Sequence, residues 1–226
     1  MDSFPPEFFV FLGYNGAMST KVYIDGQNFL YKAADILITA DRIQDKDELT
    51  KLDIRGLIEH IFGEGVEITY YGAKVKVRKD KGDDIHQKTL RFSDVARRLR
   101  NTFNAQHIHY NESGKLKLRD SDVCKHCGHQ DLRLQEKGVD VGIAVDMVVD
   151  ALQKNADKLV LISSDTDLLP AIKAAKAAGA HIVYVGFSDK TTKAIVAEAH
   201  ETEIIRDQEV ITAFDSLNPQ QGVSNG

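Results

Sequence analysis

The sequence predicts an α/β protein with a mainly parallel central sheet, and three observations carry that prediction. Strand-like and helix-like patterns alternate along the chain, as they do when each strand returns through a helical crossover. Leu159-Val160-Leu161-Ile162 is a short continuous apolar run, the mark of a parallel strand covered on both faces. Three acidic motifs stand where such strands would end: Asp25, Asp140 with Asp146, and Asp165 with Asp167.

Taken in order, Lys21–Asp25 is a short β run closed by an acid and Gly26, and Phe29 to Ile38 has helical spacing with Asn28 as its cap. A second helix is expected over Ile54 to Phe62. Glu67 to Val77 alternates and is rich in β-branched and aromatic residues, so it reads as a strand. Residues 84–103 read as an amphipathic helix, with Ile85, Leu90, Val95 and Leu99 inward and a run of Arg outward. Gln106 to Tyr110 is a third strand. Residues 111–136 break the pattern with Asn-Glu-Ser-Gly turn chemistry and a Cys pair, and are expected to form an inserted hairpin outside the core. Val139 to Leu152 is apolar almost all round, which predicts a buried helix. Asp165 to Ala178 is a helix stopped by Gly179. His181 to Val185 is a strand, Thr191 to His200 a helix and Glu203 to Ile205 an edge strand. Residues 1–19 read as an N-terminal extension, 20–215 as one domain and 216–226 as a disordered tail.

A chain of 226 residues with 42% apolar and 28% charged residues has the composition of a soluble globular protein with a sizeable core. Its net charge of -5 excludes a generally basic nucleic-acid coat. Phe8 to Leu12 is too short, and too poorly flanked by basic residues, for a signal peptide or membrane span. Two cysteines spaced Cys124-x-x-Cys127 suit a reducing compartment, so the protein is expected in the cytoplasm.

Each acid has a plain structural account: Asp25 could end a strand, while Asp140 and Asp165 could cap the helices they precede. Together they point further. The carboxyl ends of parallel strands share one edge of the sheet, where ligands bind in open α/β folds. Carboxylates converging there repel unless a cation lies among them. With no Lys or Arg at their core, they suit a hard divalent ion, Mg²⁺ or Mn²⁺, and metal-assisted hydrolysis of a phosphodiester. Asp146 lies six residues past Asp140, about 120° away round a helix.

The motifs Tyr23-Ile24-Asp25-Gly26-Gln27-Asn28, Lys137-Gly138-Val139-Asp140-Val141 with Asp146, and Ser163-Ser164-Asp165-Thr166-Asp167-Leu168-Leu169-Pro170 occur in order over residues 20–206. In this the chain resembles the NYN domain family of the PIN-like nuclease superfamily, particularly its LabA-like bacterial branch. The resemblance implies a Rossmann-like PIN fold and Mg²⁺- or Mn²⁺-dependent cleavage of RNA. It makes Asp25, Asp140 and Asp165 the metal ligands. Asp167 and Asp146 would complete or orient the site, and Asn28 would hold a carboxylate or the scissile phosphate.

Between residues 74 and 100, ten basic groups face four acidic ones, among them Lys74, Lys76, Arg78, Lys88, Arg91, Arg97 and Arg98. In an acidic protein this strip is expected to steer a phosphate backbone, with Tyr70, Tyr71 and Phe92 adding base stacking, so single-stranded RNA is the expected partner. The ordinary alternative is a solvated helix face. Cys124 and Cys127 form a knuckle that suits structural Zn²⁺, with two further ligands from among His107, His109, His126 and His129; free thiols in a loop are the alternative. A homodimer is left open. Two other functions compete: a non-catalytic RNA- or protein-binding module on the same fold, and a Mg²⁺ phosphatase. The latter wants a second Asp two residues after the first, which Asp25-Gly26-Gln27 lacks.

Overall fold

A computed structural model describes residues 19–120, 126–127, 132–188 and 191–219; the expected extension, most of the expected tail and Cys124 lie outside them. The strands are β1 (Thr20–Asp25), β2 (Glu67–Lys74), β3 (His109–Asp120), β4 (Leu132–Lys137), β5 (Lys158–Ile162), β6 (His181–Phe187) and β7 (Glu201–Ile205). The helices are α1 (Gly26–Thr39), α2 (Ile54–Phe62), α3 (Asp83–Ala105), α4 (Val139–Gln153), α5 (Leu169–Ala177), α6 (Lys193–Glu198) and α7 (Asp207–Leu217). The strands form one sheet in the order β4-β3-β2-β1-β5-β6-β7, with every pair parallel except β3 with β4.

Alternate residues of the inner strands feed two cores. Val22, Ile24, Ile68 and Ile162 pack with α1, α2, α3 and α7, while Tyr23, Tyr71, Leu159 and Leu161 pack with α4, α5 and α6. Both faces are therefore covered, as a parallel sheet requires. No described helix is long and apolar enough to cross a membrane.

Four expectations need correction. The cap of α1 is Asp25, whose carboxylate accepts from the Asn28 amide, not Asn28 itself. Residues 111–120 and 132–137 do pair antiparallel as a hairpin would, but as a continuation of β3 with β4 at the edge of the main sheet rather than as an insert apart from it. In α3 the buried residues are Ile85, Thr89, Leu99 and Phe103, and Leu90 is exposed. In α4, Val141, Val145, Val149 and Leu152 are exposed, because the face of the helix that carries Val139, Ile143, Met147, Asp150 and Ala151 is the one buried against the sheet. In addition, α7 follows the last expected strand, and Ser216 and Leu217 complete it rather than beginning a tail.

Polar pins fix α4 along β1. The Tyr23 hydroxyl donates to Asp150 at 2.6 Å, Lys21 Nζ lies 3.1 Å from the same carboxylate, and Asn155 Nδ2 donates at 2.7 Å. Burial pushes the Asp150 carboxyl up, but these three donors prevail and hold it below the usual range. Replacing Asp150 with Ala leaves a buried Tyr23 hydroxyl without its acceptor. Asp150→Ala should lower stability by about 1–3 kcal/mol in urea unfolding, and Tyr23→Phe in that background should add less than it does alone.

Candidate active site

The connections out of β1 and β5 run in opposite directions along the sheet, β1 to β2 through α1 and α2, β5 to β6 through α5. Such a divergence opens a crevice at the carboxyl ends of the two strands. Asp25 ends β1, and Ser163, Ser164 and Asp165 follow β5 across the crevice. Ser163 Oγ donates to Asp25 Oδ2 at 2.7 Å, and the Asn28 amide donates to Oδ1 at 3.2 Å. Asn28 Nδ2 donates to Ser164 Oγ at 2.7 Å, tying α1 to the end of β5. The Asp165 amide donates to Ser163 Oγ at 3.1 Å, and the Asp165 carboxylate accepts from the Asp167 amide at 2.9 Å. Each carboxylate is thereby oriented, and each oxygen keeps further lone pairs for a ligand.

Gly26 is required by close approach. A Cβ there would lie 2.4 Å from both the Tyr70 ring and the Tyr71 carbonyl, so the turn from β1 into α1 can press against β2 only without a side chain.

Asp140 enters from the other end of the chain. It lies in the first turn of α4, which starts at left-handed Gly138 (φ 89) and has no side-chain cap, so capping does not account for it. Its charge reaches Asp25 and Glu136. Burial, then the Asp165 and Asp140 charges, raise the Asp25 carboxyl despite the opposing hydrogen bonds from Ser163 and Asn28. Glu136, at the end of β4, is pushed up to about 7 by burial and then by Asp25 and Asp140. Four carboxylates therefore share one field, and among the described residues none has a Lys or Arg partner.

Glu136 is the residue that sequence reasoning missed. It stands one position before the Lys137–Asp140 motif, in the alternating Leu-Arg-Leu-Gln-Glu-Lys run that signals a strand, but only antiparallel pairing with β3 turns that strand towards the site. Asp146, by contrast, is not part of this cluster. It lies six residues along α4 from Asp140, about 9 Å of helical rise. There it accepts from the Tyr71 hydroxyl at 2.8 Å and Asn111 Nδ2 at 3.1 Å, as one more pin between α4 and the sheet. Asp167 is exposed beside Asp165.

The basic strip is also rearranged. Arg91 pairs with Asp45 and Asp47, Arg98 with Asp47, Arg97 with Asp94, Arg78 with Asp80 and Lys88 with Asp84. A count along the sequence could not see Asp45 and Asp47, which the 3-10 turn Lys46–Lys51 carries to α3. Lys74 and Lys76 stay exposed and make no ion pair with a described residue. Lys74 stands opposite Lys115, and Lys115 opposite Lys137, so three exposed lysines lie in register across β2, β3 and β4. Like charges directly opposed on neighbouring strands are unfavourable without an anion among them. Tyr70 and Tyr71 are 3% and 1% exposed and cannot stack on bases, whereas Phe92 is 47% exposed. Of the expected zinc ligands, Cys124 and His129 lie outside the described residues. His107 stands just before β3 and His109 begins it, while Cys127 is exposed.

Among the described residues, no three His, Cys, Asp or Glu side chains stand close enough to hold an ion directly. The donors are all carboxylate and hydroxyl oxygens. They fit a hard hydrated cation, which keeps several waters and needs only one or two direct carboxylates, better than a closed all-protein cage. A carboxyl raised by folding weakens the fold as pH rises through the interval between its unfolded and folded values. For Glu136 that interval ends at about 7. In EDTA, Glu136→Gln should therefore raise the melting temperature more at pH 8 than at pH 5, and saturating Mg²⁺ should shrink the difference.

The chain matches the NYN domain family over residues 19–206. No curated protein matches it. Among solved structures, a Vibrio parahaemolyticus protein of unknown function is 16% identical over 83% of this chain and 93% of its own, with a TM-score of 0.47. A Sir2 enzyme structure is 11% identical over 91% of this chain and 94% of its own, with a TM-score of 0.32. Both likenesses are too loose to carry an argument. The family match takes in β1 to β7 and all three acidic motifs, and on that ground the chain belongs to the NYN domain family, within the PIN-like nuclease superfamily.

Proposed function

We propose that this protein is a Mg²⁺- or Mn²⁺-dependent ribonuclease that hydrolyses phosphodiester bonds of single-stranded RNA, acting endonucleolytically in the cytoplasm. The observation that carries the reading is the cluster of Asp25, Glu136, Asp140 and Asp165 at the β1–β5 crevice, with no cation from the described protein to balance it. Asp25, Asp140 and Asp165 would hold a hydrated ion, one or two of them directly and the rest through its waters, and Glu136 would add the charge of a fourth carboxylate. A bound divalent ion supplies Lewis-acid polarisation of the phosphoryl oxygen and lowers the pKa of water. Ser163 and the Asn28 amide fix the direction of the Asp25 oxygens, and Asn28 Nδ2 keeps Ser164 and the end of β5 in place. Lys74, Lys115 and Lys137 hold the RNA backbone where it crosses the edge of the sheet. The arginines of α3 have a smaller share, since their charge is largely spent on Asp45, Asp47 and Asp94.

Asp25→Asn and Asp165→Asn should each slow Mn²⁺- or Mg²⁺-dependent cleavage of a labelled single-stranded RNA by at least about 100-fold. Asp146→Asn should cut within a few-fold of the parent and be less stable. Cleavage surviving both of the first substitutions would assign the activity to a contaminant. Metal-dependent RNA binding without cleavage would point to a non-catalytic binding module.

Lys115→Ala with Lys137→Ala should weaken RNA binding and flatten its dependence on log salt by about 1.4, at roughly 0.7 per phosphate contact for single strands. Arg91→Ala should change that slope less than the lysine pair does.

A further inference from the structure

An apolar groove of about 530 Å³ opens beside the acidic cluster, between α1, the 3-10 turn Lys46–Lys51, α3 and the β3–β4 edge. Its volume is that of a ligand cleft rather than a packing defect. Two features join it to the site. Glu136 belongs both to the groove wall and to the cluster around Asp25. Gln27, two residues from Asp25, lines the groove, and Tyr70, against which Gly26 packs, forms part of its inner wall.

The chemistry of the lining selects the occupant. Phe92 and Tyr31 are 47% and 50% exposed, large aromatic side chains left open to solvent on the two flanking helices. Lys46 Nζ sits 4.1 Å from the Tyr31 ring centroid, covering one face of that ring. Of the other cations in the lining, Arg91 is paired with Asp45 and Asp47 and Lys88 with Asp84. Asp45, Asp47 and Glu136 also line the groove and match the three basic residues there, so it has no excess of positive charge to select a phosphate. What fits is a flat, uncharged, polarisable group tethered to a phosphate at the neighbouring crevice. Aromatic side chains stack on unpaired bases irrespective of sequence, and the Gln27 amide offers both a donor and an acceptor to a base edge.

Resting on the ribonuclease reading, we propose that this groove receives an unpaired nucleobase of the RNA, adjacent to the phosphate to be cut, with Phe92 and Tyr31 as its stacking walls. Phosphate and base are thereby held on different surfaces, the phosphate by Lys74, Lys115 and Lys137 and the base by the groove. The arrangement disfavours duplexes, whose bases are not free to leave the stack.

The test compares binding of a fluorescein-labelled single-stranded RNA dodecamer with binding of an abasic ribose-phosphate oligomer of equal length. It uses the full chain carrying Asp25→Asn, in Mg²⁺. The RNA should bind about 5- to 150-fold more tightly than the abasic strand, the range for one stacked base. Phe92→Ala or Tyr31→Ala should remove most of that preference and leave abasic binding within about twofold; both positions are exposed, so the fold should tolerate the change. RNA preference unchanged in both variants, while the unsubstituted chain still cuts RNA, would overturn the groove proposal alone. No RNA binding and no cleavage by the unsubstituted chain would overturn the ribonuclease reading with it. Tighter RNA binding by the full chain with Phe8→Ala and Phe11→Ala would assign the groove to the chain's own apolar segment. A dimer abolished by Phe92→Ala would assign it to a second copy.

Discussion

Everything at the site depends on the position of β1. It is the central strand of a parallel sheet, hydrogen-bonded to β2 on one side and β5 on the other, and its register fixes which residues reach the carboxyl edge. Ile24 pairs with Ile162, so the first residue beyond β5, Ser163, arrives level with Asp25 and can donate to it. Asp25 pairs with Tyr71, which brings Gly26 against β2 and leaves no space for a side chain. A slip of one residue would turn Asp25 into the opposite core and Ile24 into the crevice. The burial of Val22, Ile24, Tyr23, Leu159 and Leu161 on alternating faces makes such a slip prohibitive.

That rigidity lets the protein hold like charges together. Bringing several carboxylates into a half-buried crevice opposes folding. The opposition is met by apolar packing on both faces of the sheet and by the pins that α4 makes to Tyr23 and Tyr71 through Asp150 and Asp146. The acids of α4 thus divide the labour. Asp140, at its first turn, has no capping role and carries charge into the site, while Asp146 and Asp150 accept hydrogen bonds from buried tyrosines and set the height at which Asp140 sits. Local strain at a functional site balanced by the surrounding frame is a common pattern in enzymes.

What was legible in the sequence follows from how far each signal reaches. Strand β1 with Asp25, and β5 with Asp165, could be read because a short apolar run ending in an acid is a local pattern. Glu136 could not, because its importance depends on β4 turning back along β3, a pairing that local periodicity does not encode. The arginines of α3 were over-weighted for a similar reason: their partners Asp45 and Asp47 are 44 or more residues distant in the chain. Tyr70 and Tyr71 looked like base-stacking residues by type, and only their position on a central strand shows that they belong to the two cores. Asp146 followed its motif neighbour in sequence, while the turn of the helix gave it to Tyr71. The apolar face of α4 suggested burial all round because composition does not say how much of a helix the sheet can cover.

The β3–β4 ladder has one more consequence. Six residue pairs, from Lys115 with Lys137 to Asp120 with Leu132, set the position of Glu136 independently of the chain that joins the two strands. The link between Asp120 and Leu132 is thereby uncoupled from the acidic edge. A change in the length of that link should therefore leave the acidic edge in place, because the ladder pairs nearest the site hold Glu136 without it.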